Sequence, residues 1–199
     1  MNTQNQTQVK FYLDPACPWC WRTNLWIREV EQTRPVQVEW DFFSLSMVNK
    51  QTESLAGLNS PSEAALRTLV LARRQSGNEG VAHLYLAIGQ AHHERKIKLD
   101  DQEMIRAALK EAGLAPNLLE QALADSTTLE EINRSHNHVV SLKAFGVPTM
   151  ILSRDGQESL PVYGPVITEV PSGEAAGQLW DHVAYMTWQP TFFELKRTR

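Results

Sequence analysis

The sequence has only two cysteines among its 199 residues, Cys17 and Cys20, and the first of its six histidines is His83. A structural zinc site usually needs a second cysteine pair, or a histidine pair about 12 to 15 residues further on. The shortage of other ligands therefore disfavours zinc. A structural disulfide that closed so short a loop would remove little entropy from the unfolded chain. A redox-active dithiol is the favoured interpretation, with half of a zinc site and an inert pair as the alternatives.

Several other features are missing, and each absence narrows the function. No apolar run approaches the 18 or so residues of a membrane span. A net charge of −4 gives no basic excess for nucleic acids or anionic membranes. No G-x-G-x-x-G dinucleotide fingerprint is present. Residues 1–8 are polar and uncharged, without the basic and apolar regions of a secretory signal. We therefore expect a cytoplasmic protein that binds neither nucleic acid nor membrane.

The two cysteines lie in the stretch Asp14-Pro15-Ala16-Cys17-Pro18-Trp19-Cys20-Trp21. An apolar run, residues 11–13, predicts a strand before it, and residues 22–32 predict a helix after it. Cys17 should therefore lie at or near a helix N-terminus, where free N–H groups and the helix dipole favour a thiolate. Such a position lowers a cysteine pKa from about 8.5 to roughly 3.5–7.5. We expect Cys17 to be an exposed nucleophile, and Cys20 to resolve its mixed disulfides.

The rest of the chain predicts an α/β protein with an all-helical middle. Residues 9–14 and 36–43 predict strands that flank the first helix, and the right-handed crossover rule makes these two strands parallel. Residues 58–145 show five amphipathic helical patterns, the first ending at Gly77 and the fifth at Gly146. Sheet character then returns, with an Asp-Gly turn between two strands, followed by a last helix. We therefore predict one domain from residues 1–57 and 146–199, and an inserted helical subdomain from 58–145.

This β-α-β and β-β-α frame resembles thioredoxin, and with the helical insertion it resembles the DsbA-like branch of that superfamily. A series of segments in order is further similar to the mycothiol-dependent nitroreductase family. These segments are Asp14 to Thr23, Ser44 to Asn49, Ser135-His136, Val147-Pro148-Thr149, Tyr163-Gly164-Pro165-Val166, Gly173 to Asp181 and Phe192 to Arg199. The resemblance spans essentially the whole chain.

The resemblance implies an oxidoreductase in which Cys17 is the nucleophile and Cys20 the resolving thiol. A low-molecular-weight thiol such as mycothiol would form a mixed disulfide with Cys17, and neither flavin nor metal would be needed. The substrates would be small electrophilic or nitroaromatic molecules, and the protein would be a monomer or homodimer. Val147-Pro148 would be a cis bond whose backbone lies against both cysteines; the alternative is a trans proline that merely starts a strand. Thiol or substrate contacts are expected from Pro18, Trp19, Asn49, His93, Val147, Pro148 and Thr149.

Three of these residues also have simpler interpretations. Trp19 is expected to be a partly exposed platform for a flat ligand, although it could only pack. Asn49 is expected to contact the ligand, although alone it would be an ordinary loop asparagine. His93 is expected to face the cleft as a cation beside the Cys17 thiolate, although a solvated histidine at a helix end fits equally well. A metal cage with His92, His136 and His138 is disfavoured, because neighbouring residues on a helix point to different sides.

Three functional hypotheses follow from the sequence. The first is thiol-dependent reduction of small electrophilic or nitro-containing molecules. The second is DsbA-like thiol-disulfide exchange on protein substrates. The third is a non-catalytic binding module in which the two cysteines sense redox state.

Overall fold

Strands and helices alternate at both ends of the chain, and helices alone fill its middle. The computed structural model describes residues 6–197. The sequence-based prediction about residues 1–8 therefore falls partly on residues 1–5, which lie outside the described residues, as do residues 198 and 199 at the basic end of the chain. Within the described part of the chain, no helix is both long enough and apolar enough to cross a membrane.

The sheet has five strands: β1 (Thr7–Leu13), β2 (Val36–Phe42), β3 (Thr149–Arg154), β4 (Gln157–Glu158) and β5 (Val162–Tyr163). β1 pairs in parallel with β2 and antiparallel with β3. Both β4 and β5 pair antiparallel with β3. The parallel pair confirms the predicted βαβ unit. The second half of the predicted hairpin is split, because two short strands stand where one was expected.

The helices are α1 (Pro18–Thr33), α2 (Leu45–Lys50), α3 (Glu63–Gly89), α4 (Gln102–Glu111), α5 (Leu118–Ala124), α6 (Thr127–Ser141) and α7 (Gly173–Thr187), with a π-helical turn (Gln90–Glu94) directly after α3. α3 to α6 all lie between β2 and β3 in the chain, which is the predicted order. This α/β architecture confirms the predicted fold class, a thioredoxin-like fold with an inserted helical block. The exact division at residues 57/58 and 145/146 stays a prediction.

α1 begins at Pro18, in agreement with the prediction that Cys17 lies at or near the N-terminus of this helix, because proline fits the first turn, where no intrahelical N–H partner is needed. α3 spans the first two predicted helices of the insertion, and Gly77 breaks it with a non-helical φ of 63°, which confirms the predicted end of the first helix at this glycine. The predicted end of the fifth helix is wrong. α6 ends at Ser141, five residues before Gly146, and Lys143 follows it with a φ of 76°.

The core forms around the central strand β1, which is covered on both faces. Phe11, Tyr12 and Leu13 are fully buried, which explains why this stretch reads as a continuous apolar run. α1 packs against α7, and the Trp26 indole N–H donates to the Ala176 carbonyl over 3.1 Å. The carboxyl end of β1 leads directly into the cysteine motif, so the buried strand fixes where that motif lies.

Candidate active site

Cys17 caps the N-terminus of α1, as predicted. Its backbone is extended (φ −84°, ψ 112°), Pro18 follows it in the first helical turn, and its Sγ accepts a hydrogen bond from the Cys20 backbone N–H over 3.3 Å. The pKa of the Cys17 thiol is lowered, chiefly by the hydrogen bond from the Cys20 side chain; burial opposes this, and the backbone N–H groups of Cys20 and Trp19 add to it. The hydrogen bonds that Cys17 receives at the helix N-terminus thus favour its thiolate form.

Cys20 has the opposite electrostatic character. Its side chain is fully buried, and this burial raises its pKa well above the ordinary thiol value; the Cys17 sulfur raises it further. Both cysteines are free thiols in the structure. The pair therefore divides into a sulfur that is stabilised as an anion and a sulfur that is held as a neutral thiol. This is the division that attack by one thiol and resolution by the other require.

The expected exposure of Cys17 is wrong, because only 3% of the residue is accessible. It lies in a buried apolar cluster that includes Tyr12, Phe43 and Val147, with Trp19 packed at its margin. Pro18 is exposed beside it and Trp19 is half-buried. A molecule that reacts with the Cys17 sulfur must therefore displace some of the side chains that cover it.

The loop before β3 supplies part of that cover. The Val147-Pro148 bond is cis, as predicted, and the Cys17 thiol lies 3.4 Å from the Val147 carbonyl oxygen, to which it donates. Pro148 is buried, and the Thr149 hydroxyl donates to the Gly146 carbonyl over 2.6 Å. The side chain of Thr149 thus holds the loop in shape. Direct ligand contacts from Val147, Pro148 and Thr149 stay predictions.

A second cis bond, Gly164-Pro165, was not predicted. The Thr23 hydroxyl of α1 donates to the Pro165 carbonyl over 2.8 Å and also to the Trp19 carbonyl over 2.9 Å. The segment after β5 is thereby fixed to the first turns of the helix that carries both cysteines.

His93 contacts the cysteine motif, but not as a cation. Its Nε2 lies 2.9 Å from the Pro15 carbonyl oxygen, and its ring stacks on Trp21 with centroids 6.0 Å apart. Burial lowers the pKa of His93 to about 4, so the ring is neutral near pH 7 and its Nε2–H donates to that carbonyl. The expected positive charge is therefore wrong, and so is the solvated helix end. His93 instead ties the π-helical turn to the motif.

Trp19 and Asn49 differ in how the structure places them. Trp19 is half-buried, as expected, and the Arg22 guanidinium lies over its ring at 5.3 Å from the centroid. Asn49 lies in α2 and is exposed. Their contacts with a ligand stay predictions. Four of the other tryptophans lie in the buried core, and the fifth, Trp188, is only partly buried. The buried ones are Trp21, Trp26, Trp40 and Trp180.

Asp14, to which the sequence analysis assigned no role, organises the site. The residue is fully buried, and its carboxylate accepts from the backbone N–H groups of Ala16 and Leu45 over 2.9 and 2.8 Å. Burial raises the pKa of Asp14, while these hydrogen bonds lower it. The carboxylate therefore joins the loop before Cys17 to the first turn of α2. A carboxylate directly after an apolar strand was the available signal.

Two polar residues of α6 also support the site. The Ser135 hydroxyl accepts from the Phe42 N–H over 3.1 Å and donates to the Phe42 carbonyl over 2.7 Å. His136, only 2% exposed, accepts from the Ser44 N–H at its Nδ1 over 3.2 Å. The insertion is thus fixed to the end of β2. Among residues 6–197, no group of three or more histidine, cysteine, aspartate or glutamate side chains could hold a metal.

A cavity of about 550 Å³ opens between α2 and the end of α6. Val48 and Ala144 line it and also pack in the apolar cluster that holds Cys17 and Cys20. Phe145 lies at its margin, 69% exposed, with its ring 4.9 Å from that of Tyr163. The cavity therefore borders the apolar cluster that holds both cysteines.

The chain is similar to known proteins both in its fold and in its sequence. Two solved structures share the fold: the cytosolic disulfide reductase DsbM from Pseudomonas aeruginosa (TM-score 0.61, 18% identity, covering 89% of this chain and 96% of that chain) and the oxidoreductase DsbA from Xylella fastidiosa (TM-score 0.55, 14% identity, covering 93% and 88%). The uncharacterized protein Rv2286c of Mycobacterium tuberculosis (strain ATCC 25618 / H37Rv) is 33% identical over an alignment of 199 positions, which covers 97% of this chain and 83% of that protein. The family model described as Rv2466c-like, mycothiol-dependent nitroreductase Rv2466c, matches residues 16–197. The chain thus has the same fold as the two solved structures, and it belongs to the Rv2466c-like family, whose model is described as mycothiol-dependent nitroreductase Rv2466c.

Proposed function

We propose that this protein reduces small electrophilic or nitro-containing molecules with its dithiol, and that a low-molecular-weight thiol such as mycothiol regenerates it. One observation carries the proposal: an anion-favouring Cys17 and a buried, proton-holding Cys20 lie one helical turn apart. The description of the family as mycothiol-dependent nitroreductase supports the choice of thiol and substrate. The cytoplasm, where thiols are kept reduced, is the compartment that suits this chemistry.

The two cysteines balance the electrons without another redox group. When a nitro group becomes a nitroso group, the two thiols lose two electrons and two protons and become a disulfide, and the released oxygen leaves as water. A low-molecular-weight thiolate then attacks Cys17, and the bond to Cys20 breaks with its electron pair on the Cys20 sulfur. A second thiol attacks the mixed disulfide, frees Cys17 and leaves as the oxidised, disulfide-linked thiol.

The surroundings of Cys17 support small, flat substrates. The cavity of about 550 Å³ has the volume of an ordinary small-molecule site. The rings of Phe145 and Tyr163, tilted by 34° to each other, flank the cis-proline loop, and Trp19 lies half-buried beside the nucleophile. Aromatic rings of this kind bind planar molecules by stacking. In this proposal Pro18, Trp19 and the Val147–Thr149 backbone contact the ligand, Asn49 gives a polar contact from α2, and His93 holds the motif.

The trapped adduct on Cys17 tests the proposal. In a Cys20→Ser variant incubated with mycothiol disulfide, we expect one mycothiol on Cys17, seen as a mass increase that dithiothreitol reverses. The Cys17→Ser variant is the matched control and should gain no adduct. Wild-type protein should reduce a nitroaromatic in the presence of mycothiol, and both variants should not. Equal turnover in Cys17→Ser would overturn the proposal and would leave a redox sensor or another activity.

Exchange on protein disulfides is the second candidate function. The segment that leads into the cis-proline loop and the segment that contains β5 carry exposed apolar side chains, and patches of exposed apolar side chains bind polypeptides. These side chains are Val140, Leu142, Phe145, Leu160 and Tyr163. A refolding assay on a scrambled, disulfide-bonded protein separates the two functions, because refolding without nitroaromatic turnover would favour this one. The 3% exposure of Cys17 favours the small substrate.

A further inference from the structure

Two buried hydrogen-bond donors close to the cysteines have no acceptor. The Asn24 side-chain N–H₂ and the Tyr85 hydroxyl are both in fully buried residues, and neither has a hydrogen-bond partner among residues 6–197. Nearly all buried polar groups in proteins are paired, because a buried group without a partner loses its hydration for nothing in return. These two donors, one on the cysteine helix and one on α3, are therefore available to an acceptor that forms during function.

The orientation of Asn24 is fixed by its neighbour. The Arg28 Nε–H donates to Asn24 Oδ1 over 3.0 Å, so the amide oxygen faces Arg28 and the N–H₂ faces away from it. The reverse orientation would place two donors against each other. Asn24 lies four residues after Cys20 on α1, so the two side chains share one face of the helix, one turn apart.

Tyr85 approaches the same face from the insertion. The residue lies on α3, one turn after Ala82, whose carbonyl accepts from the Arg28 guanidinium over 2.5 Å. Its ring meets Trp21, the neighbour of Cys20, edge-on with centroids 6.4 Å apart. Burial raises the pKa of Tyr85 well above its ordinary value, and the charge on Cys20 is the next largest cause, followed by that on Cys17. The hydroxyl therefore lies within electrostatic reach of the dithiol.

Cys20 needs such donors when it reacts. Its sulfur becomes a thiolate whenever the Cys17–Cys20 disulfide is opened by an attacking thiol, and again when Cys20 attacks a mixed disulfide on Cys17. The buried site opposes that charge, and the nearby Asp14 carboxylate repels it. A bond to the sulfur that forms only in the charged state lowers the barrier without stabilising the resting thiol.

We propose that the Asn24 amide and the Tyr85 hydroxyl are catalytic donors that close onto the Cys20 sulfur as it becomes a thiolate. This role rests on the proposed dithiol chemistry and adds two residues to it. In the resolving step, Cys20 loses its proton and its sulfur bonds to the Cys17 sulfur. The bond between Cys17 and the bound thiol breaks, and that thiol leaves with the electron pair and is protonated. The reverse step passes through the same Cys20 thiolate, so the same donors serve both directions.

The test separates the two steps with an aromatic disulfide, 5,5′-dithiobis(2-nitrobenzoate), added to the reduced protein. Attack by Cys17 releases the first coloured thiolate, and resolution by Cys20 releases the second. For Tyr85→Phe we expect the first release to stay within about 2-fold of wild type and the second to slow by about 10-fold or more. Tyr12→Phe is the matched control. The Tyr12 ring packs in the same apolar cluster as both cysteines, and its hydroxyl is also buried and without a partner among residues 6–197, but the charged groups that act on this hydroxyl are Asp41, Glu39, Glu158 and Arg73 and neither cysteine.

A merely structural role would give a different result. Tyr85→Phe removes a hydroxyl without a partner, so its resistance to urea should equal or exceed that of wild type. Asn24→Asp is the second variant, because it keeps the oxygen that Arg28 needs and replaces the donor with an acceptor; it too should slow the second release. Unchanged second release in both variants, equal slowing of both steps, or equal slowing in Tyr12→Phe would overturn the inference. If wild type itself lacked a second release, the proposed dithiol chemistry would fail instead.

Discussion

Replacing Gly89 with alanine tests the contact between the insertion and the cysteine helix. Gly89 is the last residue of α3 and is buried. A Cβ atom there would lie 2.1 and 2.2 Å from two carbons of the Trp21 ring. Trp21 is 4% exposed, and Tyr85 and His93 contact its ring on other sides. The ring therefore has no free direction in which to move.

The expected loss of stability follows from two opposing effects. Forcing a methyl group into a packed core costs typically about 1–3 kcal/mol, and the depth of this overlap places the cost near the upper end. Alanine in place of glycine within a helix returns about 0.5–1 kcal/mol. The Gly89→Ala variant should thus lose about 2 kcal/mol in the free energy of unfolding. For a chain of this length, that lowers the melting temperature by roughly 4–8 °C.

Gly177→Ala is the matched control within α7. A Cβ atom at Gly177 would lie 2.6 Å from the guanidinium of Arg34, which is the far end of a flexible side chain. Arg34 can move and weaken its ion pairs with the exposed Glu174 and Asp181, and exposed ion pairs contribute little to stability. The loss in unfolding free energy should therefore be clearly smaller than for Gly89→Ala. Urea denaturation of both variants provides the comparison. Equal stabilities for the two would refute the close packing of α3 on Trp21.

Three further predictions concern the site. The pH midpoint for alkylation of Cys17 by iodoacetamide should be higher in a Cys20→Ala variant than in wild type, because the hydrogen bond from the Cys20 side chain is the chief cause of the lowered pKa of Cys17; equal midpoints would contradict this. Burial lowers the pKa of His136 to about 4, whereas in the unfolded chain this histidine has its ordinary pKa of 6.5. Between these two pH values the unfolded chain therefore binds more protons than the folded protein, and protonation favours unfolding. The stability that the neutral His136 contributes is complete above pH 6.5, is lost as the pH falls toward 4, and amounts to at most about 3 kcal/mol. The pH dependence of the urea midpoint should be weaker in His136→Asn, whereas changing the exposed His138 should leave it intact. Phe145→Ala should raise the KM for a nitroaromatic about 5-fold or more with little change in the rate of adduct formation between Cys17 and mycothiol disulfide, and an unchanged KM would remove the ring from the substrate site.

The sequence predicted the parts of the site that depend on neighbours in the chain. Local patterns predicted the position of Cys17 at a helix N-terminus and the βαβ unit, and the structure confirms both. The cis bond at Val147-Pro148 followed from the family resemblance and is also confirmed. The charge of His93 could not be predicted in the same way, because its pKa depends on burial against Trp21, a residue about 70 positions away.

The exposure of Cys17 failed for the same physical reason. A helix N-terminus is accessible in isolation, and residues distant in the chain, among them Val147, 130 positions later, cover the sulfur. Tyr85 and Asn24 gave no signal at all, since a tyrosine on an apolar helix face reads as core and an asparagine in a helix reads as surface. Their unpaired polar atoms become visible only when α1 and α3 are packed together.

The helical insertion is therefore part of the reactive site, and not only a cover above it. His93 holds the loop before Cys17, and Ser135 and His136 hold the end of β2. Tyr85 and Gly89 pack against the indole that follows Cys20. Because these contacts bury Cys20, they also raise its pKa and favour its protonated form, whereas the pKa of Cys17 is lowered. The difference between the two sulfurs, on which thiol exchange depends, is thus produced jointly by the thioredoxin-like frame and by the helices inserted into it.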